Sequence, residues 1–338
     1  MDTLLASSIF LIVSSIVVLW SAGALYFDGF GGSAYGVAAA IAWLLLWAVL
    51  FTFWGPIWKP TALLIVATCI LVAWWLSLQP SQQRDWDPHF AQLASVVLDG
   101  DDLTISNVRN SDYLAIGQST PRFETRHYRL SELIGVDALV CTWGAGWMSH
   151  PMFVFDFGPS GRVCISIEVR RRLGQEFSLL RSLYRQQELM YVVCDERDAI
   201  LRRTKWQADH DVYLYRLWSE PIALRQFFLA YANRINALAQ TPRWYHGLTT
   251  NCTTSIYAQG RGTIRWAWRI LFNGSLDKLL YDRGMINQQM PFADLKRLSR
   301  INEVANRAPV ERFSESIRQE LPGFQIAENT AALEIGAS

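Results

Sequence analysis

The cysteine at position 252 lies in a sequence context that could make it a nucleophile. It follows Thr249-Thr250-Asn251 and begins a predicted helix over 252–259, which Thr250 or Asn251 could cap. A cysteine on the first turn of a helix faces the positive end of the helix dipole, which lowers the pKa of its thiol. The unpaired N–H groups there could stabilise an oxyanion. The alternative is a small buried cysteine that only packs.

A histidine and a glutamate on a predicted hairpin form a second candidate group. Apolar residues alternate on two neighbouring strands joined by a 158–161 turn: Phe153, Phe155 and Phe157, then Ile165, Ile167 and Val169. These residues predict one buried face, so His150 and Glu168 share the other face. If Phe157 pairs with Gly161, His150 lies directly opposite Glu168, whereas a slip of two residues would leave them diagonal neighbours on the same face. The pair would supply the base and the orienting acid of a Cys-His-acid triad, or it is a solvated cross-strand pair.

Other histidines and cysteines compete for these roles. His246 precedes Cys252 by six residues and is the second candidate for the base. Cys164 shares the face of His150 and is a rival nucleophile, although it lacks a helix dipole. The remaining residues of these types are predicted to be core (Cys141, Cys194), lipid- or helix-facing (Cys69) or surface (His89, His127, His210). The histidines show no metal-ligand spacing, so we expect neither a metal nor another cofactor.

Three uncharged apolar runs precede these candidate residues in the chain: Leu4–Leu25, Ala34–Phe53 and Thr61–Leu78. Each is long enough to span a bilayer core. Gly- and Pro-containing turns separate the runs, and Lys59 in the second turn favours a cytoplasmic position for that turn, with Asp28 on the outer side. The first run lacks a basic N-terminal region, so we expect a retained helix and not a cleaved signal peptide.

The charge distribution divides the chain. Residues 1–83 contain three charged side chains, whereas the other 255 residues contain 58, about 23%, a normal share for a globular domain. The net charge of +1 disfavours a nucleic-acid partner. Five cysteines without a C-x-x-C pair suggest neither a disulfide framework nor a zinc knuckle. We predict an anchor over 1–79, an extracytoplasmic domain over 80–322, joined to it by a short linker over 79–87, and a flexible tail over 323–338.

The pattern of the domain predicts an α+β fold with strands first and helices after them. The predicted strands are Leu103–Val108, Phe123–Leu130, Ala138–Trp143, Met152–Phe157, Val163–Val169, Leu189–Cys194 and Val212–Leu217. The predicted helices are Leu179–Gln187, Ala199–Trp206, Ile222–Gln240, Cys252–Gln259, Thr263–Phe272, Asp294–Asn306 and Pro309–Glu320.

Several short motifs over about 80–260 resemble, in order, those of one bacterial family. They are Arg84-Asp85-Trp86, Asn107-Val108-Arg109, Ser149-His150, Ser166-Ile167-Glu168-Val169-Arg170-Arg171, the stretches 188–193 and 195–198, Asp211-Val212-Tyr213-Leu214-Tyr215-Arg216 and Asn251-Cys252-Thr253-Thr254. The chain resembles the Lnb-type periplasmic-domain family, whose namesake is a lipoprotein N-acyltransferase. The order His150, Glu168, Cys252 is also similar to that of circularly permuted NlpC/P60 papain-like thiol enzymes, which include lecithin:retinol acyltransferase relatives.

The resemblance implies a papain-like extracytoplasmic domain behind three transmembrane helices, with Cys252 as nucleophile, His150 as base and Glu168 as the orienting residue. It implies a multi-pass protein of the bacterial inner membrane whose catalytic domain faces the periplasm. The implied activity moves an acyl chain from a glycerophospholipid, through a cysteine thioester, to the N-terminal amine of a lipoprotein. Candidates for the oxyanion hole or for supporting contacts are Asn251, Ser149, Trp143 and Arg170.

Two other functions remain compatible with these residues. A papain-like peptidase or amidase acting on cell-wall peptides would need the same three side chains but an open polar groove. A non-catalytic membrane-anchored binding domain would not need Cys252, His150 and Glu168 to lie close together.

Overall fold

The computed structural model of the chain describes residues 2–143, 148–207, 209–247, 249 and 276–324. It divides into two compact units. We call the first the membrane unit; it comprises Met1–Arg84, Glu176–Glu188 and Pro242–Gly247. The second, the sheet unit, comprises Asp85–Gln175, Leu189–Thr241 and Leu248–Ser338.

The membrane unit contains three apolar helices at the predicted positions. They are α1 (Asp2–Ala24), which continues as a π-helical turn over Leu25–Gly29, α2 (Ala34–Phe53) and α3 (Trp58–Ser77). All three are long and apolar enough to cross a membrane. The Ser33 side chain caps α2 by accepting a hydrogen bond from the Gly36 N–H at 3.4 Å. Val18, Trp47 and Leu64 form a small core between the helices, and most of their other apolar side chains are exposed.

The residues that follow α3 make hydrogen bonds within each of the two units. In the membrane unit, the Ser81 N–H donates to Glu188 Oε1 at 3.0 Å, and Arg84 pairs with the same carboxylate at 2.7 Å. In the sheet unit, the Leu173 N–H donates to the Asp85 carbonyl at 2.8 Å. Of the predicted 79–87 linker, residues 79–84 group with the membrane unit and residues 85–87 with the sheet unit. Residues 176–188 and 242–247 group with the helices, although the sequence predicted them as part of the extracytoplasmic domain.

One mixed sheet organises the sheet unit. Its strands are β1 (Ser95–Asp99), β2 (Asp102–Arg109), β5 (Phe123–Arg129), β6 (Gly135–Trp143), β7 (Met148–Asp156), β8 (Arg162–Arg170), β9 (Glu188–Asp195) and β10 (Asp211–Arg216); β3 (Asp112–Ala115) and β4 (Gln118–Thr120) pair separately. The order is β1-β2-β9-β8-β7-β6-β10, and β5 also pairs with β2. The seven predicted strands are all present. The sequence did not predict β1, β3 and β4.

Two different layers cover the sheet. On one side, which we call the aromatic face, Phe155 and its neighbours pack against the helix α5 (Pro221–Gln240). On the other side, the charged face, an apolar cluster includes Met152, Val154 and Cys164. Residues of three short helices contribute to this cluster: α4 (Glu196–Leu201), α8 (Asn302–Arg307) and α9 (Phe313–Ser316).

The helices after the sheet differ from prediction in several places. The predicted helix over 199–206 is α4 followed by a π-helical turn over Arg202–Trp206, and the helix predicted over 179–187 is reduced to a 3-10 turn, Arg181–Leu183. The helix predicted over 294–306 is split into α7 (Phe292–Leu298) and α8 because the chain between them pairs with β10: the Ile301 N–H donates to the Val212 carbonyl at 2.9 Å.

The rest of the C-terminal region is only partly described. Pro309–Glu320 contains the 3-10 turn Val310–Arg312 and α9, and α6 (Leu276–Asp282) was not predicted. The predicted helices Cys252–Gln259 and Thr263–Phe272 lie outside the described residues, as do residues 325–338 of the predicted tail.

Candidate functional site

Strand register places His150 beside Glu168. The Phe157 N–H donates to the Gly161 carbonyl at 2.9 Å, as the predicted turn requires. Met152 on β7 then pairs with Ser166 on β8, so His150 falls opposite Glu168, two residues along each strand. His150 Nε2 lies 3.3 Å from Glu168 Oε1. The predicted proximity of this histidine and this carboxylate is confirmed.

Ser166 joins the two side chains through a chain of hydrogen bonds. Its Oγ lies 2.7 Å from His150 Nε2 and donates to Glu168 Oε1, also at 2.7 Å. Because the hydroxyl proton is directed to the carboxylate, the serine oxygen accepts a hydrogen bond, and His150 Nε2 must carry the proton that it accepts. In neutral His150, this arrangement assigns the basic lone pair to Nδ1. The sequence identified Ser166 as a neighbour on this face but not as a link.

Arg203 is the functional candidate that the sequence analysis missed. It lies on the turn after α4 and donates from Nη2 to Glu168 Oε1 at 2.5 Å. Burial opposes ionisation of Glu168, but the charges of His150 and Arg203 and the hydrogen bonds from His150 and Ser166 hold the pKa of this carboxyl well below its usual range. A carboxylate is therefore maintained behind the imidazole. The available signal was an arginine inside the predicted helix 199–206, because a buried arginine needs an acidic partner.

The site is enclosed more than the solvated-pair alternative requires. The side chains of His150, Glu168 and Arg203 are only 14%, 16% and 6% exposed. Their face of the hairpin continues into buried Met152 and Cys164, because the short helices cover it. The prediction of one buried and one polar face is wrong in this respect: both faces are buried, and the second contains paired charges.

The remaining predicted site residues fall into two groups. Cys252 and Asn251 lie outside the described residues. Ser149 is buried on β7 opposite Thr142, and Trp143 is half-buried with its ring 5.3 Å from that of His210. Arg170 donates to the backbone carbonyls of Phe90 and Ala91 at 3.0 and 2.7 Å, and these contacts hold the chain at residues 90–91.

The buried thiols of Cys141 and Cys164 have raised pKa values. Cys141 lies opposite His150 on β6, but burial raises the pKa of its thiol to about 12. Burial and a hydrogen bond with Cys194 raise the pKa of the Cys164 thiol well above its usual value. Neither environment favours the thiolate that a nucleophile needs. The predicted core positions of Cys141 and Cys194 are confirmed.

The other histidines have different surroundings. His127 is exposed and His210 is half-buried. His89 is buried, so its predicted surface position is wrong: its ring nitrogens contact Ser119 Oγ at 2.7 Å and Ser111 Oγ at 3.3 Å. His246 belongs to the membrane unit and is half-buried, and burial lowers its pKa. It stays an alternative base.

A comparison with protein families finds a match for the middle of the chain. Residues 119–267 match the family described as Lnb N-terminal periplasmic domain. Neither the comparison with curated proteins nor the comparison with solved structures finds a match. The matched region covers β5 to β10 and includes His150, Ser166, Glu168, Arg203 and Cys252. Residues 119–267 of this chain, which follow three apolar helices that could span a membrane, are therefore similar to the Lnb N-terminal periplasmic domain family.

Proposed function

We propose that this protein is a membrane-anchored cysteine acyltransferase, with Cys252 as nucleophile, His150 as base and Glu168 as the residue that orients the base. The observation that carries the proposal is the chain from His150 through Ser166 to an ionised Glu168. It holds Nε2 as a donor and gives Nδ1 the lone pair that could accept a proton from a thiol.

The first half-reaction forms a thioester. The Cys252 thiol transfers its proton to His150, and the thiolate attacks the ester carbon of a phospholipid acyl chain. The bond from that carbon to the glycerol oxygen breaks. The lysophospholipid leaves with the proton from His150, and the acyl group stays on sulfur. Glu168 and Arg203 support this step because the carboxylate stabilises the imidazolium while it exists.

The second half-reaction transfers the acyl group to an amine. The N-terminal amine of a lipoprotein attacks the thioester, a C–N bond forms, and the C–S bond breaks. His150 removes the proton of the amine and returns one to the Cys252 sulfur. In this proposal the helices α1–α3 cross the bacterial inner membrane and the sheet unit faces the periplasm, where both lipid substrates are accessible. The family description and the length of the helices support this location.

Acyl trapping tests the proposal. The purified protein in detergent–phospholipid micelles is incubated with phospholipid bearing a tagged acyl chain, and covalent label is measured before and after treatment with neutral hydroxylamine. We expect a hydroxylamine-labile adduct on the parent protein and on Cys164→Ala. We expect no adduct on Cys252→Ala and at least a ~1,000-fold slower labelling of His150→Gln. His246→Gln tests the alternative base, and its labelling should be unchanged.

Two results would contradict the proposal. Label that persists in Cys252→Ala would exclude this residue as the nucleophile. A folded parent protein without any adduct would favour the peptidase or binding functions, and the same sample would then be assayed with cell-wall peptides. Circular dichroism of each variant identifies losses that come from unfolding.

A further inference from the structure

A short segment of the membrane unit exposes apolar side chains beside the helix ends. Within Glu176–Glu188, the side chains of Phe177, Leu179 and Leu180 are 41%, 54% and 56% exposed. Arg181, which follows them, is also exposed. Three exposed apolar residues within four positions are unusual on a surface that faces only water.

The same segment is fixed to α1 by an inserted ring. Tyr184 is buried in a cluster with Ala24 and Leu71, and its ring centroid lies 4.9 Å from that of Phe27. A Cβ on Gly23 would stand only 1.9 Å from the Tyr184 hydroxyl oxygen. A side chain at position 23 would therefore displace the Tyr184 ring, and the turn before the ring cannot move away from α1 without exposing it.

Asp28 fixes the segment to the end of the π-helical turn after α1. Its carboxylate accepts hydrogen bonds from the Arg185 N–H at 3.2 Å and from Gln186 Nε2 at 2.6 Å. It also accepts one from Trp75 Nε1, on α3, at 2.8 Å. One acidic side chain thus joins the ends of α1 and α3 to the segment.

Arg185 makes the corresponding contact with the end of α3. Its Nη1 donates to the carbonyls of Leu76, at 3.3 Å, and Leu78, and its guanidinium carbon lies 4.5 Å from the centroid of the Trp75 ring. The last carbonyls of a helix lack partners within the helix, and a cation there is favourable. The segment is therefore held at the level where the helices end.

That level is where membrane proteins place aromatic rings. Trp20, Trp74 and Trp75 pack around Tyr184 and Leu183 in the same cluster, and tryptophan is enriched at the boundary between headgroups and hydrocarbon. From this position and the exposed apolar side chains, we infer that the Glu176–Leu183 turn is a leaflet anchor: Phe177, Leu179 and Leu180 insert into the lipid leaflet in which α1 and α3 end.

The inference rests on the proposed membrane span of the helices but not on the proposed chemistry. Burial of these side chains among acyl chains would remove apolar surface from water. Arg181 would extend its charged group toward the lipid phosphates while its methylene groups remain among apolar atoms. The anchor would hold the segment on the bilayer in addition to its contacts with the helices.

Site-specific photo-crosslinking tests the leaflet anchor. The full chain carrying Cys252→Ala, which prevents a thioester, is placed in nanodiscs of phosphatidylethanolamine and phosphatidylglycerol with a tagged phospholipid. A benzophenone amino acid replaces Leu180 or, as a more conservative exchange, Phe177. Ile65 on α3 and Leu114 on β3, exposed by 58% and 75%, provide the membrane-facing and the sheet-unit controls.

We expect tagged lipid on the Leu180 and Phe177 probes at a yield within about threefold of the Ile65 probe and at least ~10-fold above the Leu114 probe. Yields at both segment positions equal to that of Leu114, with lipid attached at Ile65, would overturn the inference. Crosslinks from both positions to a second protein chain in place of lipid would also overturn it. Failure at Ile65 as well would instead contradict the proposed membrane span.

Discussion

The two faces of the central sheet are both buried, but one is packed with aromatic rings and the other contains ion pairs. On the aromatic face, Phe155 packs against Phe228 and Tyr231 of α5 with ring centroids 5.2 and 5.9 Å apart. On the charged face, buried ion pairs interrupt the apolar cluster: Arg203 with Glu168, Arg109 with Asp198, and Arg318 with Asp137 and Glu196. Apolar packing alone stabilises the aromatic face, whereas apolar packing and buried ion pairs together stabilise the charged face.

This difference between the faces indicates that one contributes mainly to stability and the other mainly to the chemistry of the candidate site. Aromatic packing adds stability roughly in proportion to the apolar area that it buries. A buried ion pair contributes little net stability over an apolar replacement, but loss of one partner leaves an uncompensated charge. The charged face therefore supplies little extra stability, and its geometry fixes the protonation state of Glu168 behind His150.

The largest expected effect is that of Arg203→Met, which combines instability with altered chemistry. It leaves Glu168 without its cation, so we expect a loss of about 3–5 kcal/mol in the free energy of unfolding at neutral pH. The pKa of Glu168 should rise, and acyl labelling should fall on the acidic side first because the carboxylate must be ionised. The destabilisation should shrink in acid, since a carboxyl with a lowered pKa stabilises the fold only while it is ionised.

Arg318→Met is the matched control, because Arg318 is another buried arginine of the charged face. It pairs with Asp137 at 2.6 Å and should be destabilising to a similar degree. The pH profile of labelling, measured on folded protein, should stay that of the parent. A shift of the acidic limb as large as in Arg203→Met would contradict the specific role assigned to Arg203.

Phe155→Ala tests the aromatic face. Phe155 is fully buried, and truncation of such a ring costs about 3–5 kcal/mol because it leaves a cavity. We expect a lower melting temperature but an unchanged pH profile of acyl labelling in the folded fraction. Leu114→Ala, at an exposed position, should change the free energy of unfolding by no more than about 0.5 kcal/mol. A displaced pH profile in Phe155→Ala would show that the two faces are coupled.

His89→Gln should have the smallest and most pH-limited effect. Burial, with the charges of Arg202 and Arg109, lowers the pKa of His89 to about 4. Between pH 6.5 and 4 the unfolded chain binds a proton that the folded chain does not, so acidification destabilises the parent by at most about 3 kcal/mol. Thermal unfolding across this range should show a shallower pH dependence for His89→Gln than for the parent and for His127→Gln. Equal slopes would refute the assignment.

Local patterns in the sequence predicted much of the architecture. The three apolar runs predicted α1–α3, and the alternating phenylalanines predicted the β7–β8 hairpin and the face of each residue, with the observed register as one of two possibilities. The split between α7 and α8 was missed because pairing with the distant strand β10 decides it. β3 and β4 were missed because they are only four and three residues long. The buried position of His89 was missed because its partners come from elsewhere in the chain: Ser111 lies between β2 and β3, and Ser119 lies on β4.

The sequence by itself determined which residues share a face of one hairpin, because side chains alternate with a period of two. It therefore placed His150 and Glu168 on the same face as neighbours. Only the tertiary structure decided that the opposite face is buried, that Arg203 approaches Glu168 from another element, and that Tyr184 and Arg185 group with the ends of α1 and α3. Those contacts join residues far apart along the chain, and they depend on how helices and strands pack after they have formed.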